Sequence, residues 1–407
     1  MEKNEFLSSK KYILETIRLG SWNKFLTCSA NGIGDIFKTN NIKYDKRKIL
    51  QNIINYNTFV IGMDKLNKYV LLPDIVNLKK YQNTFMEELS YTARQNIDNY
   101  KNTIMKIILN CNNQSKKNMK NTVKNTAPLS RADAIPYKIN VSTNTVGNKV
   151  KLVINDYKYP DKFTISINHY NRLKQMFRGS STQRKYIDLW ICILLLRYRY
   201  YTFLKEGISL SVDTIYDYIK NNGYSDITLE AFAGSLNSNL PNYCSLFYDI
   251  EKYFGSRGSF LTLDPSCKYK IIVSNPPYIG EVMTQSVKNI LDFINKCNDI
   301  FVIVVIPDWR SVSEYELDAN IQINIGGISQ KRVTEPYLGY STLRNSKYFR
   351  YVFFIGNYQY YNFFTDEKRS INGNTLIVLL SKYPNNNYCN DMKNYFMNTL
   401  VSKKKNN

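Results

Sequence analysis

The chain has 407 residues, with 55 Lys and Arg against 33 Asp and Glu, a formal net charge of +22. At 43% hydrophobic and 14% aromatic residues it is too apolar for a disordered charged tail, and it is long enough for two or three domains with cores of their own. A single histidine, His169, excludes a histidine-cluster metal site, and no metal is expected. The seven cysteines are odd in number and scattered, so no structural disulfide framework is expected, and free thiols suit a reducing compartment. The charge has two readings. A polyanion partner, most simply nucleic acid, would account for it. So would A- and T-rich coding DNA, which inflates Asn, Tyr and Lys together, and Tyr occurs 34 times. Composition leaves both readings open.

Residues 1–20 are charged and hold no continuous apolar segment, so no signal peptide is expected. From there to about residue 110 the chain reads as helical, with Phe85 to Leu109 showing apolar residues at three- and four-residue spacing. Residues 110–134 are polar and basic and read as a linker, in which Lys116, Lys117 and Lys120 are more simply solvated than RNA-bound. A strand is predicted over Lys149 to Tyr157, a helix near His169, and a long buried helix over Gln183 to Leu204. The apolar core of that helix, Trp190 to Leu196, is too short to span a bilayer, so no membrane is expected. A further helix covers Val212 to Asn221. Strands are then expected at Ile227–Ala233, Cys244–Asp249, Tyr269–Tyr278 and Phe301–Arg310, with a helix over Val282–Ile294, and two more strands at YFRYVFFIG and NTLIVLLS. Continuous apolar runs of this kind predict an α/β sheet covered on both faces. The C-terminal stretch ends in a basic, frayed tail.

One tetrad carries chemistry. Asn275, Pro276, Pro277 and Tyr278 follow the apolar run KIIVS and precede the helix. Two prolines fix their φ angles and donate no N–H, which stiffens the turn and leaves carbonyls free to face a cleft. Asn275 adds a side-chain acceptor. A flat substrate amine can donate to the Asn275 oxygen and the Pro276 carbonyl, with Tyr278 stacked on the ring that bears it.

This tetrad resembles the [DNS]PP[YFW] motif of S-adenosylmethionine-dependent amino-methyltransferases. The wider sequence is more specific. Glu230, Phe232 to Asn237, Tyr243 to Phe247, Asp249, Glu251, Tyr253 to Gly258, the tetrad, and Pro307 to Arg310 together resemble the family of the phosphorylated C-terminal-domain interacting factor, cap-specific adenosine N6-methyltransferases of messenger RNA. The likeness covers residues 183–310 and continues weakly to about 382. It implies a Rossmann-like class I methyltransferase sheet behind a mainly helical domain. The implied domains are a helical accessory or RNA-binding domain over 1–180, a methyltransferase domain over 181–385 and a basic tail over 386–407.

The resemblance also implies S-adenosyl-L-methionine as cofactor, capped mRNA as substrate, and formation of N6-methyladenosine or N6,2′-O-dimethyladenosine at the first transcribed nucleotide. Asn275, Pro276, Pro277 and Tyr278 are then the catalytic residues. Glu230, Phe232, Ala233, Gly234, Ser235 and Asn237 cradle the cofactor, with Asp249 or Glu251 accepting from its ribose. Arg257, between two glycines, is the candidate for a phosphate fork. Trp309 and Arg310 wall the base pocket, and Lys331, Arg332 and Arg344 are candidates for the cap triphosphate. Three departures stand out: Tyr278 for the family's Phe, Gly234-Ser235 for Ser-Pro, and Asp308 for Glu. Trp22, Trp190 and Trp309 are far apart, so no WW domain is expected, and direct binding to the polymerase tail is doubtful on that ground. The family favours the nucleus, while a chain without that module fits the cytoplasm equally, in a cellular or viral setting. A DNA adenine N6-methyltransferase and an inactive RNA-binding or partner subunit remain as alternatives.

Overall fold

The computed structural model describes residues 3–56, 82–126, 139–199, 208–210, 213–265, 267–310, 318, 322–325, 338–355, 359–362, 368–370 and 375–402. The chain divides into two compact units. One comprises Met1–Gly207 with Asp249–Phe254, and the other Ile208–Tyr248 with Gly255–Asn407. The long apolar helix that the sequence reading assigned to the second domain therefore falls in the first, and so do six residues from inside the methyltransferase-like stretch.

The first unit is a helical region with one small sheet. Its longest element is α1 (Lys3–Thr39), followed by α2 (Lys46–Asn55), α3 (Gln82–Ala93) and α4 (Lys101–Asn125). On α1 the buried residues Tyr12, Ile13, Ile17, Trp22, Phe25, Leu26, Ile33 and Phe37 recur at three- and four-residue steps, which makes one apolar stripe. That stripe packs against α2, α4 and α6 (Ile187–Arg199). Asp45 caps α2 by accepting from the Arg47 N–H at 2.9 Å. Strands β1 (Asn140–Val146), β2 (Lys149–Asn155) and β3 (Asp161–Ser166) form an antiparallel meander that leads into α5 (Ile167–Met176). Ser166 caps α5, and its hydroxyl meets His169 Nδ1 at 2.9 Å, so the lone histidine serves the helix start.

Four expectations are corrected here. The supposed linker from residue 110 is helical as far as Asn125, because α4 continues its buried face with the small polar residues Asn112 and Ser115. The single helix expected over Phe85–Leu109 is broken between Ala93 and Lys101. Cys244–Asp249 is not a strand: Tyr243 makes one parallel bridge to Glu230, and Tyr248–Glu251 is a helical turn. Finally, Cys28–Cys111 and Cys267–Cys297 are disulfide-bonded, with Cα atoms 5.8 and 5.3 Å apart. Folding brings these pairs within bonding distance, and spacing along the chain could not show it. The residues after Arg199 that the sequence reading put in the long helix lie outside the described residues, as do 403–407. The basic C-terminal stretch is helical over Asn387–Ser402.

The second unit is a mixed sheet covered by helices. It contains β4 (Ile208–Leu210), α7 (Asp213–Asn221), β5 (Thr228–Glu230), β6 (Ile271–Ser274), α8 (Gly280–Lys296), β7 (Phe301–Pro307), β8 (Gln322–Ile325), α9 (Leu338–Arg344), β9 (Phe349–Ile355), β10 (Gln359–Asn362), β11 (Lys368–Ser370), β12 (Thr375–Ser381) and α10 (Asn387–Ser402). The strand order is β5-β6-β7-β12-β9-β8, with β4, β10 and β11 forming a separate small sheet. β5, β6 and β7 run parallel, with Val273 opposite Ile303, while β12 runs antiparallel to both of its neighbours.

The period-two pattern of the strands decides the layers. Ile272, Val302, Val304 and Ile306 pack with Met283, Val287 and Ile290 of α8. The alternate residues Ile271, Val273, Ile303 and Val305 pack with Ile215 and Ile219 of α7 and Met392 and Phe396 of α10. Every residue of β7 and β12 is buried, as expected for strands covered on both faces. This is an α/β architecture of generic Rossmann-like form, preceded in the chain by a helical region.

Candidate active site

Three loops leave the carboxyl ends of the adjacent parallel strands β5, β6 and β7. In open α/β sheets that edge is where ligands bind. The loop after β5 begins with Glu230, which is only 3% exposed. Its carboxylate accepts from the Tyr216 hydroxyl at 2.8 Å, the Asn239 N–H at 2.8 Å and the Leu240 N–H at 3.2 Å. Glu230 therefore folds the loop back on itself from below. Within that loop the Asn237 carboxamide accepts from the Gly234 N–H at 2.6 Å, and the Asn237 N–H donates to the Gly234 carbonyl at 3.0 Å. Gly234 and Ser235 are buried, Ser235 against the Tyr243 hydroxyl at 2.9 Å. Phe232, Ala233 and Asn237 are half-buried, with Phe232 edge-on to Phe260. The accessible side of the loop thus offers a ring, a methyl and a carboxamide.

The glycine-flanked loop is built onto this one. The Arg257 N–H donates to the Tyr243 carbonyl and the Ser245 N–H to the Gly258 carbonyl, both at 2.8 Å. Gly255 and Gly258 have φ of 99° and 104°, a region that side chains with a Cβ rarely adopt. Arg257 is exposed and its guanidinium donates to Asn242 at 2.9 Å. Burial pushes the Cys244 thiol well above its ordinary pKa, with Arg257 opposing, so this cysteine stays protonated and is no nucleophile.

After β6 comes the tetrad. Asn275 is half-buried, and its carboxamide is engaged by no other described residue. The Ile279 N–H donates to the Pro277 carbonyl at 2.7 Å, which closes the turn into α8. Tyr278 is half-buried and its ring meets that of Trp309, from the loop after β7, at 6.4 Å in an edge-to-face arrangement. Phe232, Tyr278 and Trp309 all pack against one hydrophobic cluster, and Tyr278, at the strand end, also packs against the cluster on the other face.

Arg310 is placed differently from the substrate contact expected of it. It is 4% exposed and held by Asp308 through Nε at 2.7 Å and Nη2 at 2.9 Å. Burial alone would lower its pKa, but the hydrogen bonds and charge of Asp308 raise it, so it is a fixed cation. Asp318, which the sequence reading did not single out, completes the network. It is fully buried and accepts from Arg310, from Arg344 Nε at 2.7 Å and from the Tyr340 hydroxyl. Arg344 is thereby tied into the network that braces the loop after β7. Lys331 and Arg332 lie outside the described residues. No local pattern marks Asp318, since its partners are distant in sequence.

Asp249 and Glu251 belong to the helical unit. Asp249 receives both Nη atoms of Arg197, at 3.0 and 3.1 Å. Glu15 takes Nη2 of the same guanidinium at 3.0 Å and also its Nε. Burial would raise the Asp249 pKa, but Arg197 and Lys11 hold it below the usual carboxylate range. Glu251, fully buried, accepts from the Tyr198 hydroxyl at 2.7 Å. Among the described residues no group of three His, Cys, Asp or Glu side chains is placed to hold a metal ion, and no helix is long and apolar enough to cross a membrane.

Fold and loops together define an α/β protein with a ligand edge formed at three adjacent strand ends. The comparisons sharpen this. Residues 172–322 match a family model described as the phosphorylated CTD interacting factor 1 WW domain. The chain is also similar to the human mRNA (2′-O-methyladenosine-N(6)-)-methyltransferase, 27% identical over 154 residues, or 36% of this chain and 21% of that protein. The mouse mRNA (2′-O-methyladenosine-N(6)-)-methyltransferase is 36% identical over 86 residues, or 21% of this chain and 12% of that protein. The chain thus spans about a fifth or less of the length of these relatives. The likeness supports a general link to that methyltransferase family.

The family match also corrects an expectation. The absence of a WW domain, and the doubt about polymerase-tail binding drawn from it, rested on the wide spacing of the tryptophans. The match to the WW-domain model overturns the first and removes the ground of the second. It covers Trp190 and Trp309 and runs through α6 and the three parallel strands, so a search for two neighbouring tryptophans could not find it.

Proposed function

We propose that the chain is an S-adenosylmethionine-dependent methyltransferase that acts on the N6 amine of the cap-adjacent adenosine of mRNA. The observation that carries this reading is the position of Asn275-Pro-Pro-Tyr at the carboxyl end of β6, between the ends of β5 and β7, with the Asn275 carboxamide uncommitted. An exocyclic amine is a weak nucleophile, so the protein's contribution is orientation. The Asn275 Oδ1 and the Pro276 carbonyl accept the two amine hydrogens and thereby aim the nitrogen lone pair. Tyr278 stacks on the purine, and Trp309 buttresses Tyr278 edge-on. Arg310, braced by Asp308 and Asp318, sets the position of Trp309.

The accessible face formed by Phe232, Ala233 and Asn237 fits the cofactor, Phe232 against its apolar parts and the Asn237 carboxamide against its polar ones. Gly234 and Ser235 shape the turn, and Glu230 organises it from behind. When bound, S-adenosyl-L-methionine supplies an electrophilic methyl group on sulfonium sulfur. We assign no cofactor contact to Asp249 or Glu251, whose carboxylates are held by Arg197 and Tyr198. Arg257 is exposed on the adjoining loop and suited to an RNA phosphate.

The test is transfer of labelled methyl to capped RNA beginning with adenosine or 2′-O-methyladenosine, to uncapped RNA and to duplex DNA, followed by nucleoside analysis. N6-methylated cap-adjacent adenosine is the expected product. Equal transfer to uncapped RNA or to DNA overturns the cap assignment, and failure to bind S-adenosylmethionine in calorimetry overturns the enzyme assignment.

A further inference from the structure

Cys267 and Cys297 close a covalent loop around the segment that holds the tetrad. Cys267 precedes β6, and Cys297 ends α8, where its N–H donates to the Phe293 carbonyl at 2.9 Å. Between them the chain runs along β6, turns at Asn275-Pro-Pro-Tyr and returns along α8. The disulfide therefore ties this strand–turn–helix unit together at the end opposite the tetrad. All four residues of β6 are buried, and α8 buries Val282, Met283, Val287, Ile290 and Phe293. The proposed reaction gives this bond no role.

The two sulfurs differ in access. Cys267 is exposed and Cys297 is buried. An exposed disulfide sulfur is open to attack by a thiolate, and such bonds are the labile ones. The reduced state is also prepared for. Cys267 Sγ lies 3.9 Å from the Lys296 carbonyl, one of those that α8 leaves open at its carboxyl end, so a Cys267 thiol has its acceptor in place. Lys382 Nζ donates to the Asn295 carbonyl at 3.2 Å, and the Tyr348 hydroxyl donates to Asn295 Oδ1 at 3.2 Å. The helix end thus keeps two other ties once the bond is open, which holds the thiols near one another for reoxidation. Cys192, Cys244 and Cys389 are buried, and burial raises each thiol above its ordinary pKa, so they do not compete in exchange.

We propose that Cys267–Cys297 is a reversible redox switch on the tetrad segment, opened by a dithiol reductant, and that the oxidised form is the faster methyltransferase. The second part rests on the proposed function. One thiolate of the dithiol attacks Cys267 Sγ, and the S–S electron pair leaves on Cys297 Sγ, which takes up a proton. The second thiol then displaces Cys267 from the mixed disulfide, and Cys267 Sγ takes up the proton it releases. The protein gains two electrons and two protons, and the dithiol becomes a disulfide. The experiment is hydrogen exchange of the full chain in a Cys28→Ser background, which removes the Cys28–Cys111 bond. Exchange is followed before and after dithiothreitol treatment of the folded protein, and again after reoxidation with oxidised glutathione, with iodoacetamide labelling to count thiols. Reduction is expected to speed exchange in β6 and α8 about a hundredfold, since it releases a crosslink spanning 30 residues. α1 should be unaffected, and reoxidation should reverse the change. Cys267→Ser in the same background is expected to exchange at the reduced rate without reductant. Methyl transfer is expected to fall about tenfold on reduction, through loss of orientation at the tetrad, and to return on reoxidation. Equal exchange in the two redox states overturns the proposal, and so does reduction that proceeds only in unfolding concentrations of urea. Equal transfer in the two states overturns the regulatory part. Transfer in neither state counts against the methyltransferase reading, and exchange still decides the switch.

Discussion

Arg197 offers the sharpest test of how the helical unit is held. Its side chain is 1% exposed and lies between the Glu15 carboxylate, 0% exposed, and the Asp249 carboxylate, 21% exposed. Burial would lower its pKa, but the two carboxylates raise it well above the ordinary arginine value. Arg197→Met keeps most of the apolar stem and removes the charge, which strands Glu15 in the core. Breaking a buried pair from one side costs about 3–5 kcal/mol. Arg18 still reaches Glu15 at 3.3 Å and Lys11 reaches Asp249 at 3.6 Å, so the loss should sit at the low end, about 3 kcal/mol. For a unit of this size that is a fall in Tm of about 6–12 °C.

The sign with pH follows from Asp249. Its folded pKa is depressed, so its contribution is present above the unfolded value near 3.9 and disappears as pH falls through the folded value. The deficit of the variant should therefore be full at neutral pH and shrink in acid, where Asp249 takes up a proton. The assay is urea unfolding at neutral and acid pH in a Trp309→Phe background, where Trp22 and Trp190 report on this unit. A deficit below about 1 kcal/mol at neutral pH, the range of an exposed pair, would refute the argument.

Three further outcomes are expected. Asn275→Ala should abolish methyl transfer while leaving the circular dichroism spectrum and melting temperature of the wild type, because that carboxamide holds no other part of the fold. Gly258→Ala should destabilise the second unit by about 1 kcal/mol or more, since φ is 104° there; Trp309 fluorescence during unfolding measures it, and an unchanged midpoint would contradict the strain. Cys267→Ser removes a crosslink spanning 30 residues of sequence that include β6, the tetrad and α8. The chain-entropy model puts the loss at about 3–4 kcal/mol. In a Cys28→Ser background, which removes the Cys28–Cys111 bond, dithiothreitol should produce the same shift when Cys267 is present and none when it is serine.

The parts of the fold legible in sequence were those with strong local patterns. Phe301–Pro307 is a near-continuous β-branched run, and it forms a strand buried on both faces. Gly280–Lys296 shows apolar residues at helical spacing, and Val282, Met283, Val287 and Ile290 are its buried face. The tetrad was legible because two adjacent prolines after an apolar strand have few structural meanings. α4 was misread because Asn, Lys and Ser mimic a linker, although Asn112 and Ser115 are buried against neighbours the sequence does not name. Cys244–Asp249 has the composition of a strand, but only Tyr243 finds a strand partner. Glu230 falls inside the predicted strand Ile227–Ala233 but ends β5 in the structure, and its hydrogen bonds to Tyr216, Asn239 and Leu240 depend on how the loop closes. The clamp on Arg197 joins residues 182 and 52 positions away. No window of sequence contains such a constellation.

The membership of Asp249–Phe254 in the helical unit has a consequence for synthesis. Residues 208–248 must leave the ribosome before Arg197 can receive its second carboxylate and before Tyr253 can meet Trp190, whose ring centroid lies 4.4 Å away. The amino-terminal unit therefore cannot finish folding while it is the only part of the chain that has been made. A fragment that stops at Gly207 would reproduce this translational intermediate, a nascent helical body still waiting for six residues encoded well downstream.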